Sequence, residues 1–276
     1  MLRQPFVEIP KSRLAVWSGR LALFALIVAG LSVVIVRLDL LEIVPAMATF
    51  AAALVFAGLS LLLAFASFVP IWREGLGGLR NSVEAMLVAI LLLAYPAYLG
   101  TRALKLPAIN DITTDTANPP RFDVLARLRP RGTDQYPGRA TAALQEQAYP
   151  DISPLEVSGT ANATYDATLK LIAKRKWRVV DAKPPAAGSR SGIIEAVART
   201  TVMGFRDDVA IRITALAPTA ARVDVRSASR YGKYDFGTNA ARIRSLLDDI
   251  DDVMSVTPEP KPEPKPQPIK RQPAKR

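Results

Sequence analysis

Residues 205–230 read "FRDDVAIRITALAPTAARVDVRSASR", and this stretch decides the fold of the second half of the chain. In its first part Val209, Ile211 and Ile213 alternate with Asp208, Ala210 and Arg212. In its second part Val223 and Val225 alternate with Asp224, Arg226, Ala228 and Arg230. A period of two sends successive side chains to opposite faces of a strand. The connection between the parts is short, so the stretch predicts two antiparallel strands. One face is apolar and turns to a core. The other collects Asp208, Arg212, Asp224, Arg226 and Arg230, whose alternating signs predict a cross-strand ion-pair ladder. That face reads either as a solvated, self-neutralising surface or as an Arg-lined site for an anion or partner. A catalytic site built on paired aspartates is weaker, because adjacent Asp207 and Asp208 point to opposite faces.

The same period extends outward. "SPLEVSG", "KWRVVDA" and "GIIEAVART" predict further strands, and "NATYDATLKLIAKR" predicts a helix with a polar N-terminal cap. A last helix over 238–254 aligns Ile243, Leu246, Leu247, Ile250 and Val253 on one face. The order β-α-β-β-β-β-α predicts an α+β domain over 150–256, with a mostly antiparallel sheet of about five strands and two helices on one face. Its roughly 105 residues can bury an adequate single core.

The first hundred residues are different. The run "LALFALIVAGLSVVIV" at 21–36 lies between Arg20 and Arg37, and residues 43–72 contain no charge until Arg73. A third apolar run covers 85–101, with Glu84 at its entry and Pro96 inside. Soluble helices need a polar face, and the first two runs have none, while the third also admits an interfacial or re-entrant reading. They predict three membrane spans at about 16–36, 43–70 and 83–101 within a transmembrane region 1–101. Trp17, Trp72, Tyr95 and Tyr98 fall near span ends, as interface anchors do. Basic residues gather before the first span and after the second, at Arg3, Lys11, Arg13, Arg20, Arg73 and Arg80. The positive-inside rule then makes the N-terminus cytoplasmic. Three spans place everything after about residue 102 on the far side, the periplasm for a protein of the bacterial inner membrane. Ala53 and Ala57 form a small-xxx-small pair, suited to packing within the bundle or against another membrane subunit.

Between membrane and domain, residues 102–149 are punctuated by proline and predict an extended connector with short helices at "FDVLARL" and "ATAALQEQA". The connector opens on "NDITTDTANPPRF" at 110–122. Asp111, Thr113 and Asn118 suit turns in which short polar side chains bond nearby backbone. A contact surface or a cation site are the other readings, although the spacing is not that of an EF-hand.

The chain has no Cys and no His. A Cys nucleophile, a Ser-His-Asp triad and a Cys/His zinc site are therefore excluded. "GSRSG" at 188–192 is no nucleophile elbow, since Arg190 stands where Ser would be needed. The net charge of +11 is spread out: 7 Lys/Arg against 5 Asp/Glu in 1–100, 23 against 18 in 101–256, and 6 against 2 in 257–276. No dense basic patch results, which argues against a nucleic-acid partner. The tail "TPEPKPEPKPQPIKRQPAKR" predicts a disordered, polyproline-like segment whose basic end suits anionic lipid or cell-wall polymer.

"INDITTDTANPPRF", "AYPDISPLEV", "ARTTVMGFRDDVAIRI" and "VDVRSASRYGKYDFGTNAARIRSLL" together resemble the bacterial "domain of unknown function 1499" family, over about 109–250. "YGKYDFG", with Lys233 and Tyr234, departs from the family's usual turn. The resemblance brings no activity, cofactor or substrate. It implies that Asp111, Thr114, Asp115, Asp207, Asp208, Arg226, Ser227, Ser229, Arg230, Asp235 and Asn239 belong together, with the 110–122 stretch laid against the Arg226–Arg230 strand. The candidate ligand- or partner-binding residues are thus Asp111, Thr114, Asp115, Asp208, Arg212, Arg226, Arg230 and Asp235. No catalytic residue, metal ligand or cofactor is assigned. The leading expectation is a non-enzymatic accessory or structural subunit that contacts lipid and another membrane complex. A binding domain for an anionic envelope ligand, and a hydrolase using Asp residues or an oxygen-held metal, are the alternatives.

Overall fold

The computed structural model describes residues 9–129, 132–186 and 189–256. The tail expected at 257–276 lies outside the described residues. Three helices come first: α1 (Arg13–Arg37), α2 (Ile43–Glu74) and α3 (Leu79–Lys105). All three are long and apolar enough to cross a membrane by length and composition. Two layers of alanine hold them together. Ala25, Ala57 and Ala89 meet in one layer, one from each helix, and Ala22, Ala64 and Ala85 in the next. Small side chains let helix backbones approach closely where lipid supplies no hydrophobic drive. Serine hydroxyls add polar contacts: Ser60 donates to the Ser18 carbonyl at 2.8 Å, and Ser67 and Ser82 share a bond of 2.6 Å. Ala53 and Ala57 are buried inside this bundle, so that seam is spent on internal packing.

Beyond the bundle come β1 (Asp111–Thr113), a 3-10 turn (Leu125–Leu128), α4 (Arg139–Ala148), β2 (Leu155–Ser158) and α5 (Ala161–Lys174). β3 (Arg178–Lys183), β4 (Ser191–Arg199), β5 (Arg206–Ala217), β6 (Ala220–Ser229) and α6 (Thr238–Val256) follow. The antiparallel sheet has the order β1-β6-β5-β4-β3, and β2 shares the outer edge of β6 with β1. The sixth strand, absent from the sequence expectation, is β1. Three residues are too few for alternation to show.

One sheet face packs on α5 and α6. Val209, Ile211, Ile213, Val223 and Val225 meet Ile172, Ile243, Leu246 and Ile250 there. The opposite face is not solvated, which corrects one sequence reading. The segment after β1 folds back over it, and Phe122 and Leu125 pack on Val197, Ala210 and Ala228. Burying both faces forces every charge on the second face to find a partner inside the protein.

Candidate functional site

The covered face begins with its strands. β5 and β6 pair with Asp208 opposite Ala228, Ala210 opposite Arg226 and Arg212 opposite Asp224. This register stacks the charged residues in one column, as the alternation predicts. β1 extends the sheet with Asp111 opposite Ala228 and Thr113 opposite Arg226. Asp111 and Arg226 then lie on the same buried face, one pleat apart.

Arg226 is the centre. Its Nε donates to Asp111 Oδ1 at 3.0 Å and its Nη2 to Asp111 Oδ2 at 2.7 Å. The Pro120 and Asp134 carbonyls accept from its remaining donors. The Phe122 ring lies 4.3 Å from its guanidinium carbon, and Arg129 stacks on the same ring at 5.1 Å. Such stacking on an aromatic face is favourable for a desolvated cation. Burial pushes the Asp111 carboxyl up, and Arg226 and then Arg129 partly offset this. Burial likewise raises the nearby Tyr136 hydroxyl to about 12.

Asp208 is held from both sides. Arg230 donates from Nε and Nη2, and Arg129 donates from Nη1 at 2.9 Å. Arg129 also reaches the Ala228 and Ser229 carbonyls. At the other end of the column Asp224 accepts from Arg212 and Arg222, and Asp115 accepts from the same two arginines. Asp115 also forms the turn, its Oδ1 accepting from the Asn118 backbone N–H at 2.8 Å. Thr113 Oγ1 accepts from the Asp115 N–H, and Thr114 exchanges two bonds of 2.9 Å with Val225. Thr113 and Asp115 thus make the turn, while Asp111 serves the sheet.

Asp235 is elsewhere. It caps α6 with both oxygens, accepting from the Gly237 and Asn239 N–H groups. A carboxylate at a helix N-terminus satisfies orphan donors and suits the dipole. Burial raises its pKa, offset by those two N–H groups. Asp207, Ser227, Ser229 and Asn239 gather on this helix-facing side, where Arg242 binds Asp207 and Ser227. The residues grouped by resemblance therefore form two clusters on opposite faces of the sheet.

Several members of these clusters are missed by sequence reasoning. Glu195 is fully buried and accepts from the backbone N–H groups of Asp123, Val124 and Leu125. Gln145 pairs its side-chain amide with both backbone groups of Thr113, at 3.0 and 2.6 Å, acting as one more strand. Arg129 sits in a segment with no periodicity. Among the described residues, no group of three Asp or Glu is placed to hold a metal ion.

Residues 111–250 match the family model described as "Protein of unknown function (DUF1499)". The chain belongs to this family. Both charge clusters lie within the matched span. No curated protein matches the chain. One similar solved structure is described as "Crystal structure of the di-domain ARO/CYC BexL from the BE-7585A biosynthetic pathway". It is 11% identical, with 71% of this chain and 61% of that chain covered, and a TM-score of 0.23. The likeness spans less than two thirds of that structure and carries no argument at such a score.

A polar junction fixes the family domain to the apolar helices. The α1–α2 loop meets the β4–β5 hairpin. Asp39, in the left-handed region at φ 58°, receives Arg199 and Arg206, each at 2.6 Å. Arg37 donates to the Thr201 and Val202 carbonyls, and Arg199 returns a bond to the Arg37 carbonyl. Gly204, at φ 74°, lies against Arg37, where a Cβ would come within 2.8 Å of its Cγ. Desolvation raises the Asp39 pKa, but Arg206 and Arg199 outweigh it and the net direction is down.

Proposed function

We propose that this protein is a non-enzymatic accessory subunit of a membrane complex. It would sit in the bacterial inner membrane and hold its sheet domain in one pose on the periplasmic surface. The observation that carries this reading is the bond set between Asp39, Arg37 and the β4–β5 hairpin. A tether alone would let the domain swing. A domain bolted to a helix loop presents a fixed outer surface at a fixed height. The buried charges also support a structural role, because Asp111, Asp208 and Asp224 each pair with arginine inside the fold. The Ala53–Ala57 seam is already occupied within the bundle, so contact with a partner falls to the lipid-facing helix surfaces and the exposed domain surface.

The test is purification of the full chain from its native membranes in a gentle detergent, with quantitative mass spectrometry of what accompanies it. A stoichiometric integral-membrane partner is the expected result. Migration alone, at native abundance, would count against the accessory role.

A further inference from the structure

The junction between bundle and domain encloses an open groove of about 590 Å³. Its two walls differ in chemistry. The membrane side is mainly apolar, built from Val36, Leu40, Leu41, Ile43 and Val44, with the carboxylates of Asp39 and Glu42 set among them. Leu40 is 65% exposed and Val44 72% exposed, although both lie in or next to the loop joining two spans. The loop joins the ends of two candidate membrane spans, a place where exposed apolar side chains suit an acyl chain. The domain side carries Arg206, Arg230 and the half-exposed Tyr231.

The arginines have capacity to spare. Arg206 touches Asp39 through Nη2, and no other hydrogen bond or ion pair holds its guanidinium among the described residues. Arg230 uses Nε and Nη2 on Asp208, and among the described residues no hydrogen bond holds its Nη1. Asp39 divides its charge between Arg199 and Arg206, and Asp208 divides its own between Arg129 and Arg230. Four guanidiniums thus share two carboxylates. Arg37 adds a fifth positive charge bonded to carbonyls, and Glu42 on the lining supplies one further negative charge. The lining itself is balanced, with Arg206 and Arg230 against Asp39 and Glu42, and Arg37, Arg129 and Arg199 just off it leave the surroundings with a surplus of positive charge.

We propose that the groove is a site for an anionic glycerophospholipid of the leaflet on the domain's side. Its phosphate sits against Arg206 and Arg230, where a planar guanidinium can bond phosphate oxygens in pairs. An acyl chain runs down past Val44 along α2. Tyr231 closes the top with an amphipathic ring. The bound lipid fills the space between hairpin and loop, and so joins the family domain to its membrane. This goes beyond the accessory role and does not depend on it.

The experiment uses the full chain, delipidated in mild detergent and placed in phosphatidylcholine nanodiscs doped with a photoactivatable phosphatidylglycerol carrying its crosslinker on the acyl chain. Labelling should concentrate on peptides containing residues 40–47 and on that containing Tyr231. Arg206→Gln should lower this labelling about tenfold, the size of losing one charge-assisted contact. Arg80→Gln, at the other end of the bundle, should leave it unchanged. Doped phosphatidylcholine of the same crosslinker should label the groove no more than the rest of the lipid-facing surface. Even labelling around the helices, equal labelling by the two lipids, or an unaffected Arg206→Gln would each overturn the proposal. If Arg206→Gln unseats the hairpin, seen as faster hydrogen exchange over 199–206, Val44→Glu replaces it. That change leaves the Asp39 bonds in place and should expel the lipid; retained labelling would overturn the site.

Discussion

Arg226 on β6 and Asp111 on β1 form a bidentate pair across 115 residues of chain, with both side chains all but excluded from solvent. β1 has only three residues and could not hold its place by ladder bonds alone. The pair and the Gln145 amide fix it on either side. Removing one partner of such a pair leaves a bare buried charge, which costs about 3–5 kcal/mol. Asp111→Ala should therefore lower the unfolding midpoint of the detergent-solubilised chain sharply. The double change Asp111→Leu with Arg226→Met should recover most of the loss, because apolar replacement of both partners removes the stranded charge. A double variant as unstable as Asp111→Ala would show that Arg226 contributes mainly through Phe122 and the Pro120 and Asp134 carbonyls.

Glu195 answers three backbone donors at the start of the 3-10 turn that carries Leu125 over the sheet. Each orphaned N–H costs about 1–3 kcal/mol once buried. Glu195→Ala should destabilise strongly and expose the 122–128 segment to limited proteolysis. Glu195→Gln, which keeps one acceptor oxygen, should fall between it and wild type. Equal protease resistance in all three would mean that the Phe122 and Leu125 packing holds the cover unaided.

Asp39 sets a pH window for the junction. Its folded pKa lies below the ordinary 3.8. A lowered carboxylate pKa gives stability that is complete above the unfolded value and lost as pH falls through the folded one. The hairpin should stay seated at pH 5 and loosen below pH 3.8, read by hydrogen exchange over residues 199–206. Asp39→Asn should show the loosened exchange at neutral pH. The half-exposed pair limits the thermodynamic effect to about 0.2–1 kcal/mol.

Ala57 sits at the meeting point of the three helices, with Ala25 and Ala89. Ala57→Leu inserts bulk where backbones need to approach, at a cost of about 1–3 kcal/mol. The bundle should lose thermal stability in detergent while Gly58→Leu, whose side chain would enter open space beside the helix, should not. Comparable losses in both would place a further contact on the Gly58 side.

The three long helices were legible from their unbroken apolar composition, and α5, α6 and the central strands because pattern follows one-sided burial. In β5, Val209, Ile211 and Ile213 read as a core face at once. The family resemblance placed the 110–122 stretch against the Arg226–Arg230 strand, as β1 does, but the packing of the rest of the cover was not legible. Phe122, Leu125 and Arg129 lie in proline-punctuated sequence without a period, and their partners are set by the sheet they land on. One signal was available: Ala210 and Ala228 interrupt the charged face with small apolar residues, as Val197 does on β4, and these are the positions on which the cover rests. Glu195 was hidden for the same reason. A charged residue at alternating spacing looks solvent-facing until something is known to lie above it. Of the eight candidate residues, seven lie in the covered face or at its rim, and Asp235 belongs to the cap of α6.

The pairing of β1 with β6 also sets an order of events. β1 follows the last membrane helix directly, yet the edge that receives it is made from the final strand of the sheet. Its contacts are among the most sequence-distant in the protein, and distant contacts close late and slowly. During synthesis the Asp111 carboxylate must wait, hydrated at the membrane surface, until Arg226 has been made and delivered. A chain cut short between β5 and β6 would expose β5 as a bare edge, a form suited to capture by quality-control proteases.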